Sequence, residues 1–327
     1  MALLGVLWIC IAVGSVFISP ADILKAVWSS LRGLPVPDGF AQSIIVSIRI
    51  PRVLAVALSG AALSICGAAM QGLLRNPLAD GSTLGVSSGA SLGAVLAIAF
   101  GVRLPGFAGG GVMLMAMTFA FLSMLVILGL AYRLDCSLST NTIILIGIIF
   151  SMFVNSIVNV VVTFAGEKVK TIMFWTMGSL SGSNYQDVLV LCCALLVGGA
   201  ILLHYTRELN AFAIGEDNAR HVGVNVRQVK LVIMIAVSIL IGVCVSIGGT
   251  IAFVGLVVPH MARMLVGPNH RRLLPASLFG GAIFLLLADL LARTLLNPLE
   301  LSIGVVTSFV GAIAFVYIFN LSRKGKS

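Results

Sequence analysis

The sequence predicts an all-α polytopic membrane protein of about ten transmembrane helices, and three observations predict it. Of 327 residues, 59% are hydrophobic and only 9% are charged, against roughly 25% charged in a soluble domain. Eight stretches of at least 19 residues contain no Asp, Glu, Lys or Arg, close to the roughly 20 that a bilayer crossing needs. A decapeptide also recurs 182 positions along the chain. Such a composition excludes a disordered chain and a compact water-soluble enzyme, because too few polar side chains exist to face water all round.

Taken in order, the uncharged runs are 1–21, 53–74, 81–102, 104–132, 136–166, 188–206, 231–262 and 301–322. The run 231–262 is too long for one helix and carries Gly248-Gly249 in its middle, so it reads as two spans. The run 273–288 continues past Asp289 as another. The run 171–186 is short and rich in Gly and Ser, and reads as a loop or a re-entrant piece. Ten spans form one transmembrane domain over residues 1–327 and leave both termini on one side. If the tail bearing Arg323, Lys324 and Lys326 is cytoplasmic, 12 of the 20 basic residues lie on that side and 8 on the other, the sign expected for a bacterial cytoplasmic membrane protein. The +9 net charge is then a loop bias. No basic block interleaved with aromatics suggests nucleic acid. The first run starts without Lys or Arg and exceeds a signal-peptide core, so it reads as a retained span.

The recurring decapeptide pairs Leu58–Gly67 with Leu240–Gly249, with five of ten positions identical; the same offset pairs Pro77 with Pro259 and Gly85 with Gly267. By the span count the first copy runs inward and the second outward. That predicts an inverted repeat of spans 2–5 and 7–10, an architecture common in transporters. Gly85, Gly89 and Gly93 lie on one helical stripe, a pattern that lets membrane helices approach closely. The six cysteines show no C-x-x-C spacing and read as small apolar fillers.

The chemistry that is missing narrows the function. No phosphate-binding G-x-x-x-x-G-K-[ST] occurs, since the terminal Gly325-Lys326-Ser327 has Asn320 where the first glycine belongs. Ion-coupled carriers keep ionisable groups near mid-membrane, and here the spans contain almost none; Asp289 and Arg293, four apart, are expected to pair near one membrane edge. The four histidines share no metal-ligand spacing, and no nucleophile–base set suggests an enzyme. An energy source on another polypeptide remains. The longest polar insertion, 207–230, reads as two short helices hinged at Gly215 and stopped at Gly223. Its mixed apolar and charged residues suggest a docking element for a cytoplasmic partner. Glu216, Asp217 and Arg220 are expected to face that partner, with Ala211 and Ala219 small enough for close seating.

The motifs Arg49-Ile50-Pro51-Arg52, Gln71-Gly72-Leu73-Leu74-Arg75-Asn76-Pro77-Leu78-Ala79, Leu84-Gly85-Val86-Ser87-Ser88-Gly89-Ala90 and Gly215-Glu216-Asp217-Asn218-Ala219-Arg220 lie in order along the chain. Gly249-Thr250-Ile251-Ala252-Phe253-Val254-Gly255-Leu256-Val257-Val258-Pro259-His260 follows, then His270-Arg271, Ala288-Asp289 with Ala292-Arg293, and Glu300-Leu301. Through them the chain resembles the permease subunits of ATP-binding-cassette importers for iron–siderophore, haem and vitamin B12, the FecCD type. Gly81, Ser302 and Ile313 stand where that family usually has proline. The resemblance implies a non-catalytic subunit, a dimer (a homodimer, or a heterodimer with a sister permease), two cytoplasmic ATPase subunits that bind ATP-Mg, and an extracytoplasmic substrate-binding protein. It implies no cofactor or metal held by this chain itself. It matches Arg49, Arg52 and Arg293 to outward arginines that engage the binding protein. Asn76, Leu78, Thr140 and Asn141 match segments that narrow the cytoplasmic mouth of the pathway. The residues Ala211, Gly215, Glu216, Asp217, Ala219, Arg220 and Gly223 match the coupling helices that enter a cleft of the ATPase. The implied substrate is an iron chelate, with cobalamin as the alternative; a stand-alone ion-coupled carrier or channel is the alternative of another class.

Overall fold

The structure, a computed structural model, describes residues 1–14, 23, 28, 44–81, 85–104, 109–135 and 139–324, with side chains as far as 317. The described residues form helices and no β-sheet. In chain order these are α1 (Ala2–Ala12), α2 (Ile50–Leu73, entered through a wide turn Ile45–Arg49), α3 (Val86–Phe100), α4 (Gly110–Leu134), α5 (Thr140–Phe164), α6 (Val169–Thr176), α7 (Tyr185–His204), α8 (Thr206–Ile214), α9 (Glu216–His221), α10 (Val226–Gly248), α11 (Val254–Val266), α12 (His270–Thr294) and α13 (Ile303–Lys324). Six are long and apolar enough to cross a membrane, namely α2 with its entry turn, α4, α5, α7, α10 and α12; α1, α3 and α11 are shorter apolar helices, and α13 is apolar over Ile303–Tyr317. Together they fall on the ten expected spans.

Two differences from the sequence reading stand out. The first half of 171–186 is helical: α6 runs to Thr176, after which Gly178 turns at φ 75° and Ser179 N donates to Gly248 O at 2.8 Å. Eight residues rise only about 12 Å, too little to cross. The 182-residue offset also holds for one helix pair only. Pro77 lies in the turn after α2, whereas Pro259 lies inside α11, and Gly85 precedes α3 while Gly267 follows α11.

The repeat is nonetheless visible when helices are matched by order. Helices α2 and α10 are the central pair, with 78% and 72% of their apolar windows buried, against 22% for α5 and for α7. Each is followed in the chain by a short helix, α3 or α11, roughly 20 Å long against about 30 Å of hydrocarbon. Each short helix opens on a left-handed residue, Gly85 at φ 68° and Phe253 at φ 68°. Glycine adopts that backbone freely, and phenylalanine only where its surroundings hold it. The partners are exchanged accordingly. Gly85 backs onto Phe150 of α5, and Phe253 packs onto Gly311 of α13. Ile127 of α4 and Ser151 of α5 also line the Gly85 junction.

Asparagine caps begin three of the helices and take up their first-turn N–H groups. Asn184 accepts from Gln186 N and Asp187 N at 2.8 and 3.0 Å, and Asp187 accepts from Asn184 N at 3.0 Å. Asn225 and Asn269 cap α10 and α12 in the same way. Between helices, glycines allow backbone contact. Gly60 of α2 faces Gly281 of α12, Gly67 faces Gly255 of α11, and Gly89 and Gly93 of α3 lie on the α4 backbone.

Gly67→Ala places a methyl group on the Gly255 carbonyl and should sharply lower the yield of folded monodisperse protein. Gly129→Ala, at an exposed α4 position with nothing within 4 Å, should be neutral or stabilise by up to about 1 kcal/mol. Size-exclusion yield and thermal unfolding in detergent measure both; equal behaviour would contradict the packing.

Candidate functional site

At one end of the bundle, Arg49 and Arg293 converge on the end of α1, and Arg52 joins Arg293 on Asp289. The last carbonyls of a helix have no intrahelical donor, and arginines supply it here. Arg49 Nη1 donates to Ile11 O and Ala12 O at 3.0 and 3.2 Å, and Arg293 Nη2 donates to Cys10 O at 2.8 Å. Asp289, almost fully buried, takes Arg52 on one oxygen at 2.9 Å and Arg293 on the other at 3.1 Å, the latter an ion contact without hydrogen-bond alignment. Arg52 also reaches Glu300 at 3.0 Å. The expected Asp289–Arg293 pair is thus present within a larger cluster. The three arginines are buried; the Glu300 side chain, 40% exposed, is the accessible member.

At the opposite end, residues 206–230 form the two short helices expected, α8 and α9. Gly215 joins them at φ 129° and Gly223 stops the segment at φ 88°. A six-residue helix has one inward and one outward side, and residues three apart share a side. Asp217 and Arg220 point outward and pair at 3.2 Å. Glu216 and Ala219 point inward. This corrects two expectations: Glu216 faces the bundle instead of a partner, and Ala219 is fully buried within the fold instead of lining a seat. Ala211 is half-buried and Gly223 exposed. The outer side adds two apolar residues that sequence reasoning missed, Ile214 at 71% and Val222 at 73% exposure.

The inner side is stitched to three long helices. Lys230 Nζ, fully buried on α10, donates to Glu216 Oε1 at 2.7 Å, and Thr140 Oγ1 of α5 donates to the same oxygen at 3.1 Å. Asn210 Oδ1 of α8 accepts from His270 N and approaches His270 Nδ1, both at 2.8 Å, and its amide donates to Asn269 at 3.0 Å. The candidate gate residues border this segment. Arg75, just before Asn76, lies beside Gly215. Asn76 Oδ1 accepts from Leu78 N at 2.9 Å, a local turn that leaves Leu78 exposed, and Asn141 is exposed next to Thr140.

Next to this end, Pro259 interrupts α11. Proline has no N–H for the carbonyl four residues back, which is Gly255. Gln71 of α2 supplies the missing donor, Nε2 lying 3.3 Å from Gly255 O and 3.2 Å from Leu256 O, while Arg263 holds its oxygen at 3.2 Å.

Residues 2–320 match the model of the FecCD transport family. The chain belongs to that family. Among curated relatives, it is 42% identical to an uncharacterized ABC transporter permease, YvrB of Bacillus subtilis (strain 168), over 96% of this chain and 90% of that one. It is 38% identical to the cobalamin import permease BtuC of Halobacterium salinarum (91% and 79% covered) and to the hemin transport permease HmuU of Yersinia pestis (86% and 84% covered). A solved inward-facing structure of an ABC transporter assigned to the metal-chelate type matches with TM-score 0.85 and 31% identity, over 97% of this chain and 96% of that one. This FecCD-family chain is therefore a multi-pass membrane permease, the transport subunit of an ABC importer that works with separate ATPase and substrate-binding partners; ATP hydrolysis belongs to the ATPase.

For a FecCD permease, Gln71, Lys230 and Asn210 were legible only as isolated polar residues within or beside apolar runs. Asp289→Ala strands Arg52 and Arg293 and should destabilise the chain by about 3–5 kcal/mol. Glu300→Ala removes a half-exposed partner and should cost about 1 kcal/mol or less. Thermal unfolding in detergent compares them, and equal losses would contradict the buried cluster.

Proposed function

We propose that the chain moves a metal chelate inward through a pathway bordered by α5, and that the α5 surface carries this reading. Although α5 is strongly apolar, its exposed side presents Asn155, Ser156, Asn159 and Thr163. Ser156 and Thr163 bond back to the carbonyls four residues earlier, at 3.0 and 2.9 Å. Exposed asparagine amides are costly against hydrocarbon, so this stripe is suited to protein or water. A second permease copy facing it, with a wet seam between them, satisfies it. The exposed faces of α7, carrying Leu189, Leu196 and Val197, are suited to lipid.

The substrate class rests on the relatives. Hemin, cobalamin and the metal-chelate type share a metal held in an organic ligand, and an iron chelate (siderophore or haem) is the first reading. Cobalamin is the second, favoured by a relative as similar as the hemin permease. We place both termini and the α8–α9 segment in the cytoplasm, the distribution of basic residues supporting this for a bacterial inner membrane. Ile214 and Val222, flanked by Asp217 and Arg220, then form the face for an ATPase subunit loaded with ATP-Mg. The binding protein docks at the arginine end. Burial of Arg49, Arg52 and Arg293 argues that a partner carboxylate would reach Arg52 by exchanging with Glu300.

Single cysteines at Asn155 and Asn159, in a chain stripped of native cysteines, should react with a charged, water-soluble thiol reagent in proteoliposomes. Cysteines at Leu196 and Val197 should not. Modification at Asn159 should also lower ATP-dependent uptake of haem or a ferric siderophore delivered with the binding protein. Unreactive stripe positions, or uptake indifferent to their modification, would refute the pathway.

A further inference from the structure

The seam between α4 and α10, on the outside of the bundle, carries two features that the α5 pathway does not use. At its α8–α9 end, the guanidinium of Arg227 stands over the ring of Tyr132, 4.6 Å from the centroid, a cation–π contact. Both side chains are exposed, and Arg133 beside Tyr132 adds a second exposed cation. Among the described residues neither arginine pairs with a carboxylate. Tyrosine and arginine at the end of an apolar helix are groups that sit at the level of lipid headgroups.

The second feature is a cavity of about 400 Å³ farther along the same seam. It opens outward, since Leu114, Thr118 and Phe121 of α4 and Ile239 of α10 on its walls are exposed. Ala120, Ser238 and Gly242 are small where the two helices face each other, and a methyl group on Gly242 would already come within 3.1 Å of Ala120 Cβ. The helices touch there, so they cannot close on the space beside the contact. Water is poorly suited to fill it. Thr118 Oγ1 turns back to Leu114 O at 2.8 Å, which leaves the unpaired Ser238 hydroxyl, fewer partners than the about two to four that hold a buried water.

The two features are one acyl chain apart. From Arg227 to Ile239, α10 rises about 18 Å, close to the ~15 Å that is half of a ~30 Å hydrocarbon core. Leu231 and Ile235 lie between them at four-residue spacing, on one apolar ridge.

We propose that this seam binds one anionic glycerophospholipid, with its phosphate on Arg227 and one acyl chain laid along the α10 ridge to end in the cavity. The Tyr132 ring holds the face of the guanidinium and leaves its edge to donate to phosphate, and Arg133 adds to the local positive field. The chain fills space that the helices cannot close, so the lipid clamps α4 to α10 from outside. This site lies apart from the α5 stripe, and it holds whichever leaflet the α8–α9 end faces.

The full chain, purified and delipidated in detergent, is titrated with phosphatidylglycerol and phosphatidylcholine of identical oleoyl chains, and bound lipid is counted by native mass spectrometry. The parent should bind one phosphatidylglycerol more tightly than phosphatidylcholine. Arg227→Gln should weaken phosphatidylglycerol about 5-fold, the effect of one basic residue at a lipid surface. Arg103→Gln, which removes the same charge beside the other end of α4, should not. Ser238→Leu fills the cavity and removes an unpaired hydroxyl; it should abolish the preference for oleoyl over octanoyl phosphatidylglycerol and keep the headgroup preference. Thr118→Leu fills the cavity from α4 and should do the same, which keeps the test open if one variant fails to fold. Equal binding of the two headgroups, or an Arg227→Gln chain that behaves like Arg103→Gln, overturns the proposal. A chain-length preference unchanged in the folded cavity variants overturns it too. So does thermal stabilisation by inorganic phosphate equal to that by phosphatidylglycerol, since a free anion would then account for the site. None of these outcomes bears on the α5 pathway, which is read by labelling and uptake.

Discussion

Hydrocarbon supplies no hydrogen bonds, so every break in a helix of this chain has to be answered by another part of the same chain. The rest of the structure follows from that constraint. Pro259 deprives Gly255 of its partner, and Gln71 reaches across from α2 to replace it. The end of α1 leaves carbonyls open, and Arg49 and Arg293 close them. At the exposed starts of α7, α10 and α12, outside that constraint, asparagines take up first-turn amide groups. Each answer fixes two or three helices relative to one another. A few polar contacts thus set the geometry of a bundle whose apolar surfaces alone would slide.

The same constraint separates the two working ends. At one, three arginines and two carboxylates hold α1, α2 and α12 as a block, with only Glu300 offering a side chain outward. At the other, the carboxylate of Glu216 and the amide of Asn210 are shared among helices that meet at the α8–α9 segment. The junctions before α3 and α11 show how duplication was accommodated. The left-handed backbone is kept in both halves, at Gly85 in one and at Phe253 in the other.

Much of this was legible in the sequence because hydrophobic run length and glycine placement act locally. The ten spans, the hinge at Gly215 and the stop at Gly223 are of that kind, and so is the Asp289–Arg293 pair, which needs only a four-residue spacing. Orientation was not legible. Arg52 near a helix end can face a partner or fold inward, and the choice is made by Asp289, more than two hundred residues away. Glu216 and Asp217 are chemically alike neighbours, and six residues are too few for a hydrophobic stripe to mark which side is inner. The helix α6 escaped because Lys168 and Lys170 cut its start out of the uncharged run, and the Gly and Ser residues after Thr176 marked the remainder as loop. The 182-residue offset misled beyond its first helix because the chain leading into α11 is shorter than the one leading into α3.

The central claim, that internal donors answer each helix break, is tested most directly at Pro259 by a double-mutant cycle read as thermal unfolding in detergent. Gln71→Leu alone should cost about 1–3 kcal/mol, the penalty for an orphaned buried carbonyl. In a Pro259→Ala background the backbone N–H at position 259 returns to the Gly255 carbonyl, so the same Gln71→Leu change should cost less, with a coupling of about 1 kcal/mol. Strictly additive losses would contradict the account.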